Sequence, residues 1–205
     1  MSKLSEYIGS QFGDPRGIVG RVCCFFMNRI NQPMYMSVVS EIGERKCSRI
    51  LDVGFGNGYL IERLRPVTRA VIYGIDISED MKEAAESRNA HAVESGRVRL
   101  SVGDCCSLKF KDDSFDAVTS VNTVYFWEDP VKGLKEIRRV LKDGGVFYNA
   151  VYSKEWFDKA KSYTKKGFRI YEMEDFIRFG REAGFSDVVI EDIVDNRSYL
   201  VKFVK

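Results

Sequence analysis

The sequence predicts an α/β fold built on a mostly parallel sheet, and three observations carry that prediction. From about residue 49, short apolar segments alternate with stretches of helical period. The first of these segments runs without pause into a glycine-dense turn, Arg49-Ile-Leu-Asp-Val-Gly-Phe-Gly-Asn-Gly-Tyr59. The last two follow each other across a short polar turn, which leaves no room for a crossover helix and requires an antiparallel pair.

The elements follow in order. Residues 49–53, 70–75, 98–102, 115–121 and 145–152 are short and rich in Val, Ile and Phe, as suits strands buried on both faces. Residues 59–64 continue from the glycines as a helix. Residues 78–92 open on Ser-x-Asp, a plausible cap for one longer helix. Val131, Leu134, Ile137 and Leu141 recur at helical spacing, and Asp143-Gly-Gly is expected to stop that helix. A helix over 173–183 ends at Gly184, and strands over 188–193 and 199–204 flank Asp195-Asn-Arg-Ser as a hairpin.

Residues 1–47 differ in character. Ile18, Val22, Phe25, Phe26 and Ile30 mark one face of a helix that Pro33 is expected to end, and residues 34–42 suggest another. Two readings fit: a helical lid over the ligand edge of the sheet, or a plain packing extension. The division is therefore a helical segment over 1–47 and a ligand-binding α/β domain over 48–205.

Composition narrows the function. The 205 residues, 44% apolar, suffice for one well-filled core. With 32 basic against 30 acidic residues and no basic block, no nucleic-acid partner is expected. No apolar run is long enough to span a membrane, and the start of the chain lacks a signal-peptide core. Cysteines at 23, 24, 47, 105 and 106 make an odd set without zinc spacing, so reduced thiols, a cytoplasmic location and no metal site are expected. The single histidine, His91, falls late in a helix and reads as a surface residue.

Candidate site residues cluster at the ends of the strands. Glycines at 54, 56 and 58 let backbone approach a ligand closely, and Asp52 is a charge at the end of an apolar run. A dinucleotide turn wants G-x-G-x-x-G, whereas the spacing here is G-x-G-x-G. Asp76 closes the second strand, about twenty residues on, where a carboxylate accepts from ribose hydroxyls. Gly103-Asp104 follows the third strand and suits an exocyclic amine such as that of adenine. Asn122, after the fourth strand, suits an amino-acid head group, with Tyr125 and Trp127 to wall a pocket.

These residues together resemble the class I S-adenosylmethionine-dependent methyltransferases. Ile50-Leu-Asp-Val-Gly-Phe-Gly-Asn-Gly matches the first motif, with Phe55 where Cys is frequent; Gly74-Ile-Asp-Ile-Ser matches the second and Gly103-Asp-Cys the third. Phe115-Asp-Ala-Val and Leu134-Lys-Glu-Ile-Arg-Arg-Val-Leu-Lys-Asp-Gly-Gly match later ones. The resemblance covers roughly residues 49–190 and is closest to the small-molecule group that includes the ubiquinone/menaquinone-biosynthesis enzymes.

The resemblance implies a Rossmann-like seven-stranded sheet with an antiparallel last strand, helices on both faces, and S-adenosylmethionine as cofactor. It also implies roles. Asp52 and the backbone of Gly54, Phe55 and Gly56 would hold the methionine portion. Asp76 would take the ribose hydroxyls, with Ile77 and Met81 against adenine. Asp104 would accept from the adenine amine, the backbone N–H of Cys105 would meet a ring nitrogen, and Asn122 would lie near the methionine end. The chemistry implied is in-line methyl transfer to a small-molecule acceptor. Such a reaction needs positioning more than a catalytic base, and no base stands out. Phe12, Tyr125, Trp127 and Tyr152 are the expected acceptor-lining residues. A non-catalytic cofactor-binding protein and a nicotinamide-dependent dehydrogenase are the alternative readings. The acceptor atom and the oligomeric state are not legible.

Overall fold

A computed structural model describes residues 27–159 and 169–205. In chain order its strands are β1 (Arg49–Val53), β2 (Val71–Asp76), β3 (Val98–Val102), β4 (Phe115–Val121), β5 (Leu141–Tyr152), β6 (Asp187–Val194) and β7 (Ser198–Val204). The helices are α1 (Gln32–Gly43), α2 (Tyr59–Leu64), α3 (Glu79–Arg88), α4 (Ala90–Glu94), α5 (Pro130–Val140), α6 (Lys154–Lys159) and α7 (Met173–Ala183).

All seven strands form one sheet in the order β3-β2-β1-β4-β5-β7-β6. The pairs among β1 to β5 are parallel. β7 runs antiparallel to both β5 and β6, so the reversed strand is wedged between them. The expected Rossmann-like sheet with a reversed last strand is the one observed.

Both faces are covered. Neighbouring residues of a strand point to opposite faces. On β5, the Tyr148 hydroxyl accepts from Arg45, which follows α1, at 3.5 Å. The adjacent Phe147 stacks on Phe203 of β7, and Phe203 in turn packs closely under Gly180 of α7. Met34, Val38, Val39 and Ile42 of α1 are buried. α1 is therefore a packed part of the core.

Of the expected helix ends, one holds and two need correction. The expected break at Pro33 is present: residues 27–30 are helical, Asn31 turns, and Pro33 sits in the first turn of α1, where its missing N–H costs nothing. The long helix expected over 78–92 breaks at Asn89, whose buried side chain donates to the carbonyls of Gly58 (3.2 Å) and Ala85 (3.0 Å) and accepts from Arg65 (3.2 Å). The side chain thus ties the helix pair to the glycine turn. α5 stops at Val140, before Asp143-Gly-Gly. Leu141 instead pairs with Phe115 as strand, and the glycines fall where the β4–β5 register shifts. Helical spacing carries no mark of a residue leaving the helix to pair with a neighbouring strand.

Candidate functional site

The strand order places the site. The chain leaves β1 for β2 on one side and later returns to β4 on the other, so the connections diverge between β1 and β4. A crevice opens at the carboxyl ends of strands where this happens. There lies a cavity of about 270 Å³. Its walls come from the ends of β1, β2 and β4, the turns that follow β1 to β4, and the start of α3. Met27, Asn28, Asn31 and Tyr35 close one side.

Two glycines shape its floor differently. Gly54 has φ +70°, and a Cβ there would stand 2.3 Å from Cγ2 of Thr123, so the turn after β1 packs directly on the turn after β4. Gly56, at φ +51°, has no atom of the described residues within 4 Å of the corresponding position. The turn is anchored by the Gly54 N–H, which donates to the Ile75 carbonyl at 2.7 Å.

Asp52 is the most constrained group in the cavity. It is 2% exposed, and its Oδ1 accepts from the Thr119 hydroxyl at 2.9 Å. Its Oδ2 is buried with no hydrogen-bond partner among the described residues. Burial pushes its pKa up to about 7, against the Thr119 hydrogen bond and helped by the nearby Asp76. Asn122 presents the same pattern across the floor. It sits in the left-handed region at φ +59°, and its Nδ2 donates to the Met34 sulfur at 3.4 Å. Its Oδ1 is likewise buried and without a partner. Among the described residues, two buried acceptors at the ends of adjacent strands therefore lack donors, an arrangement that native folds rarely leave unfilled.

The other carboxylates are positioned by backbone. Asp76 accepts from the Gly56 N–H (2.8 Å) and the Ser78 N–H (3.0 Å). Ser78, rather than Asp76, caps α3. Asp104 is exposed, and its Oδ1 accepts from the Cys106 N–H at 2.8 Å. Ile77 is exposed and Met81 buried, and both line the cavity with Gly103 and Cys105. The Cys105 thiol is buried and close to Gly133, and desolvation raises its pKa, with Cys106 and Asp104 adding to the effect. It is a neutral packing group.

All eleven residues expected at the cofactor — Asp52, Gly54, Phe55, Gly56, Asp76, Ile77, Met81, Gly103, Asp104, Cys105 and Asn122 — line this one cavity. The expected acceptor residues divide. Trp127 lines the cavity, its indole N–H donating to the Thr123 hydroxyl at 3.2 Å. Tyr125 and Tyr152 do not line it. The Tyr125 hydroxyl donates to the Tyr152 carbonyl (3.2 Å) and accepts from its N–H (2.6 Å), which makes it a buried strut between β4's turn and β5. The Tyr152 hydroxyl donates to Asn31 at 2.6 Å, one layer behind the wall. Phe12 lies outside the described residues. Sequence reasoning missed Asn28, Asn31, Tyr35 and Thr123; only Thr123 carried a signal, its adjacency to Asn122.

A family model described as a methyltransferase domain matches residues 51–149. An uncharacterized methyltransferase of Bacillus subtilis is 32% identical over 168 residues, covering 82% of this chain and 87% of that protein. The chain belongs to the class I S-adenosylmethionine-dependent methyltransferases. This methyltransferase is also 35% identical over 127 residues to a ubiquinone/menaquinone biosynthesis C-methyltransferase of Geotalea daltonii, covering 58% of this chain. It spans 54% of that protein, about half its length. In fold it is similar to a Haemonchus contortus phosphoethanolamine N-methyltransferase solved with S-adenosylmethionine. That likeness has a TM-score of 0.70 at 19% identity and covers 84% of this chain and 52% of the other. The cofactor is S-adenosylmethionine, and the unfilled acceptors on Asp52 and Asn122 suit a ligand that brings an ammonium. The nicotinamide reading gives way. Among the described residues no helix is long and apolar enough to cross a membrane.

Proposed function

We propose that this methyltransferase passes a methyl group to a small-molecule acceptor held between the cofactor and the cavity wall formed by Asn28, Asn31, Tyr35 and Trp127. The observation that carries the reading is the pair of buried acceptors without donors among the described residues, Asp52 Oδ2 and Asn122 Oδ1, in a cavity whose walls also carry the carboxylates of Asp76 and Asp104. On this reading Asp52 and Asn122 hold the methionine ammonium, beside the backbone of Gly54 to Gly56. Asp76 accepts from the ribose hydroxyls. Ile77 and Met81 sandwich the adenine edge, with Asp104 and the Cys105 N–H toward its nitrogens.

Bound S-adenosylmethionine supplies a methyl group already activated on a cationic sulfur. The protein's task is then alignment and exclusion of water, which proximity alone can make large. Trp127 and Tyr35 wall the space that the acceptor would enter, with Met27, Asn28 and Asn31 beside them ahead of and at the start of α1. No histidine lines the cavity, and a base is required only for acceptors that must lose a proton. Incubation with S-adenosylmethionine and a panel of quinol, phenol, amine and thiol acceptors should yield S-adenosylhomocysteine with at least one class. Asp76→Ala should weaken cofactor binding and abolish that turnover. Tight binding without turnover on any acceptor would instead favour a non-catalytic binding protein.

A further inference from the structure

Thr119 lies inside β4, two residues before the strand ends, and no motif marks it. It is fully buried and stands directly beside Asp52 in the β1–β4 register. Its hydroxyl has one hydrogen and two acceptors within reach: Asp52 Oδ1 at 2.9 Å and the Leu51 carbonyl at 3.5 Å. The shorter contact takes the hydrogen, and a charged acceptor strengthens it further. With Oδ1 clamped, the partnerless Oδ2 is the oxygen left for a ligand. If Asp52 instead carries a proton on Oδ1, the roles reverse: Asp52 donates to the Thr119 oxygen, and the Thr119 hydrogen turns to Leu51. The pair is thus hydrogen-bonded in both charge states.

We propose that Thr119 is a positioning residue that holds Asp52 as a charged acceptor for the cofactor's ammonium and so couples cofactor affinity to pH. The proposal rests on the assignment of that ammonium to Asp52. In the free protein the Asp52 carboxyl is poised near neutrality by burial. An incoming ammonium fills Oδ2 and draws the proton off, so binding releases it to solvent. Among the described residues, the titratable groups around Asp52 are Asp76 at the end of β2, Asp104, Cys105 and Glu128 on the cavity wall, Tyr35 on α1, and Tyr148 with Arg45 one strand beyond Thr119. Of these, Asp76 is the one that acts on Asp52, and it opposes ionisation.

The test is calorimetric titration of the full chain with S-adenosylhomocysteine, which keeps the ammonium and does not react, between about pH 5.5 and 7.5, below the range of about 8 where an α-amino group itself loses its proton. Affinity of the unaltered protein should climb by up to about tenfold per pH unit and level off near neutrality. Thr119→Val should move the plateau to higher pH and cost several-fold in affinity at pH 7, Thr119→Ser should restore the original profile, and Asp52→Asn should bind weakly with a flat profile. Should Thr119→Val not fold, the unaltered protein still decides the matter: titrations at pH 6.5 in two buffers of different ionisation enthalpy should show a proton released. A pH-independent affinity, no proton release, or a Thr119→Val profile that superimposes on the original would overturn the proposal while leaving the cofactor assignment standing. No binding at any pH would instead sink that assignment.

Discussion

The two ends of the same sheet treat an aspartate in opposite ways. At the carboxyl end, Asp52 of β1 is buried, has one oxygen without a partner, and is pushed up to about 7. At the amino end, Asp116 of β4 is saturated. Its Oδ2 accepts from the Ser48 and Arg49 N–H groups, each at 2.8 Å, and its Oδ1 accepts from Lys142 at 2.6 Å. Burial alone would raise Asp116, but the Lys142 ammonium and the two N–H groups outweigh it and hold its pKa below the usual carboxylate range. Asp116 braces the start of β1 against β4 and β5. Among the described residues Asp52 is left unsatisfied, the condition expected of a group whose partner arrives from outside.

Substitution at each end should split stability from binding. The largest expected effect is at Asp52. A carboxyl raised from 3.8 to about 7 stabilises the fold while protonated and loses that contribution as pH rises toward its folded value. Asp52→Asn should therefore stabilise the cofactor-free protein at pH 8 by up to about 4 kcal/mol, and hardly at all at pH 4. Melting temperatures of both proteins at the two pH values check this; an Asn variant less stable at pH 8 contradicts it. Asp116→Ala should do the reverse, costing about 2 kcal/mol at neutral pH because two N–H groups and an ammonium lose their acceptor. Because the pKa of Asp116 is depressed, the penalty should be full above about pH 4 and shrink as pH falls below it. Denaturant midpoints across that range would show it.

The glycines sharpen the contrast at the smallest scale. Gly54→Ala meets both a left-handed backbone and Thr123, so it should cost about 3 kcal/mol of stability. Gly56→Ala has only the backbone strain to meet, about 1 kcal/mol, yet its methyl would occupy the ligand's space. It should lose more in cofactor affinity than in stability. Equal losses at the two positions would show that the space beside Gly56 is not where the ligand lies.

Much of this was legible in the sequence, for a physical reason. Strand ends and turns in a parallel sheet are short, ordered and rich in glycine and carboxylate, so Asp52, Asp76, Asp104 and Asn122 each stood out locally, and each reaches the same cavity. What stayed hidden depends on direction. Tyr125 and Trp127 are two residues apart, yet one braces β5 and the other faces the cavity, because the short 3₁₀ turn Val124–Phe126 rotates them apart. Thr119 reads as an ordinary β-branched strand residue, and its hydroxyl matters only because the β1–β4 register sets it beside Asp52. Asn31 and Tyr152, joined by a hydrogen bond, are 121 positions apart in sequence.

The wedged position of β7 governs the order in which the sheet can be completed. β6 precedes β7 in the chain, but among the described residues β7 is its one sheet partner, and β7 also covers the edge of β5. On the ribosome, β6 would emerge with nothing to pair with until β7 follows it. β6 can join the sheet no earlier than β7, so the parallel half that carries the cofactor cavity does not depend on this hairpin for its own strand pairing.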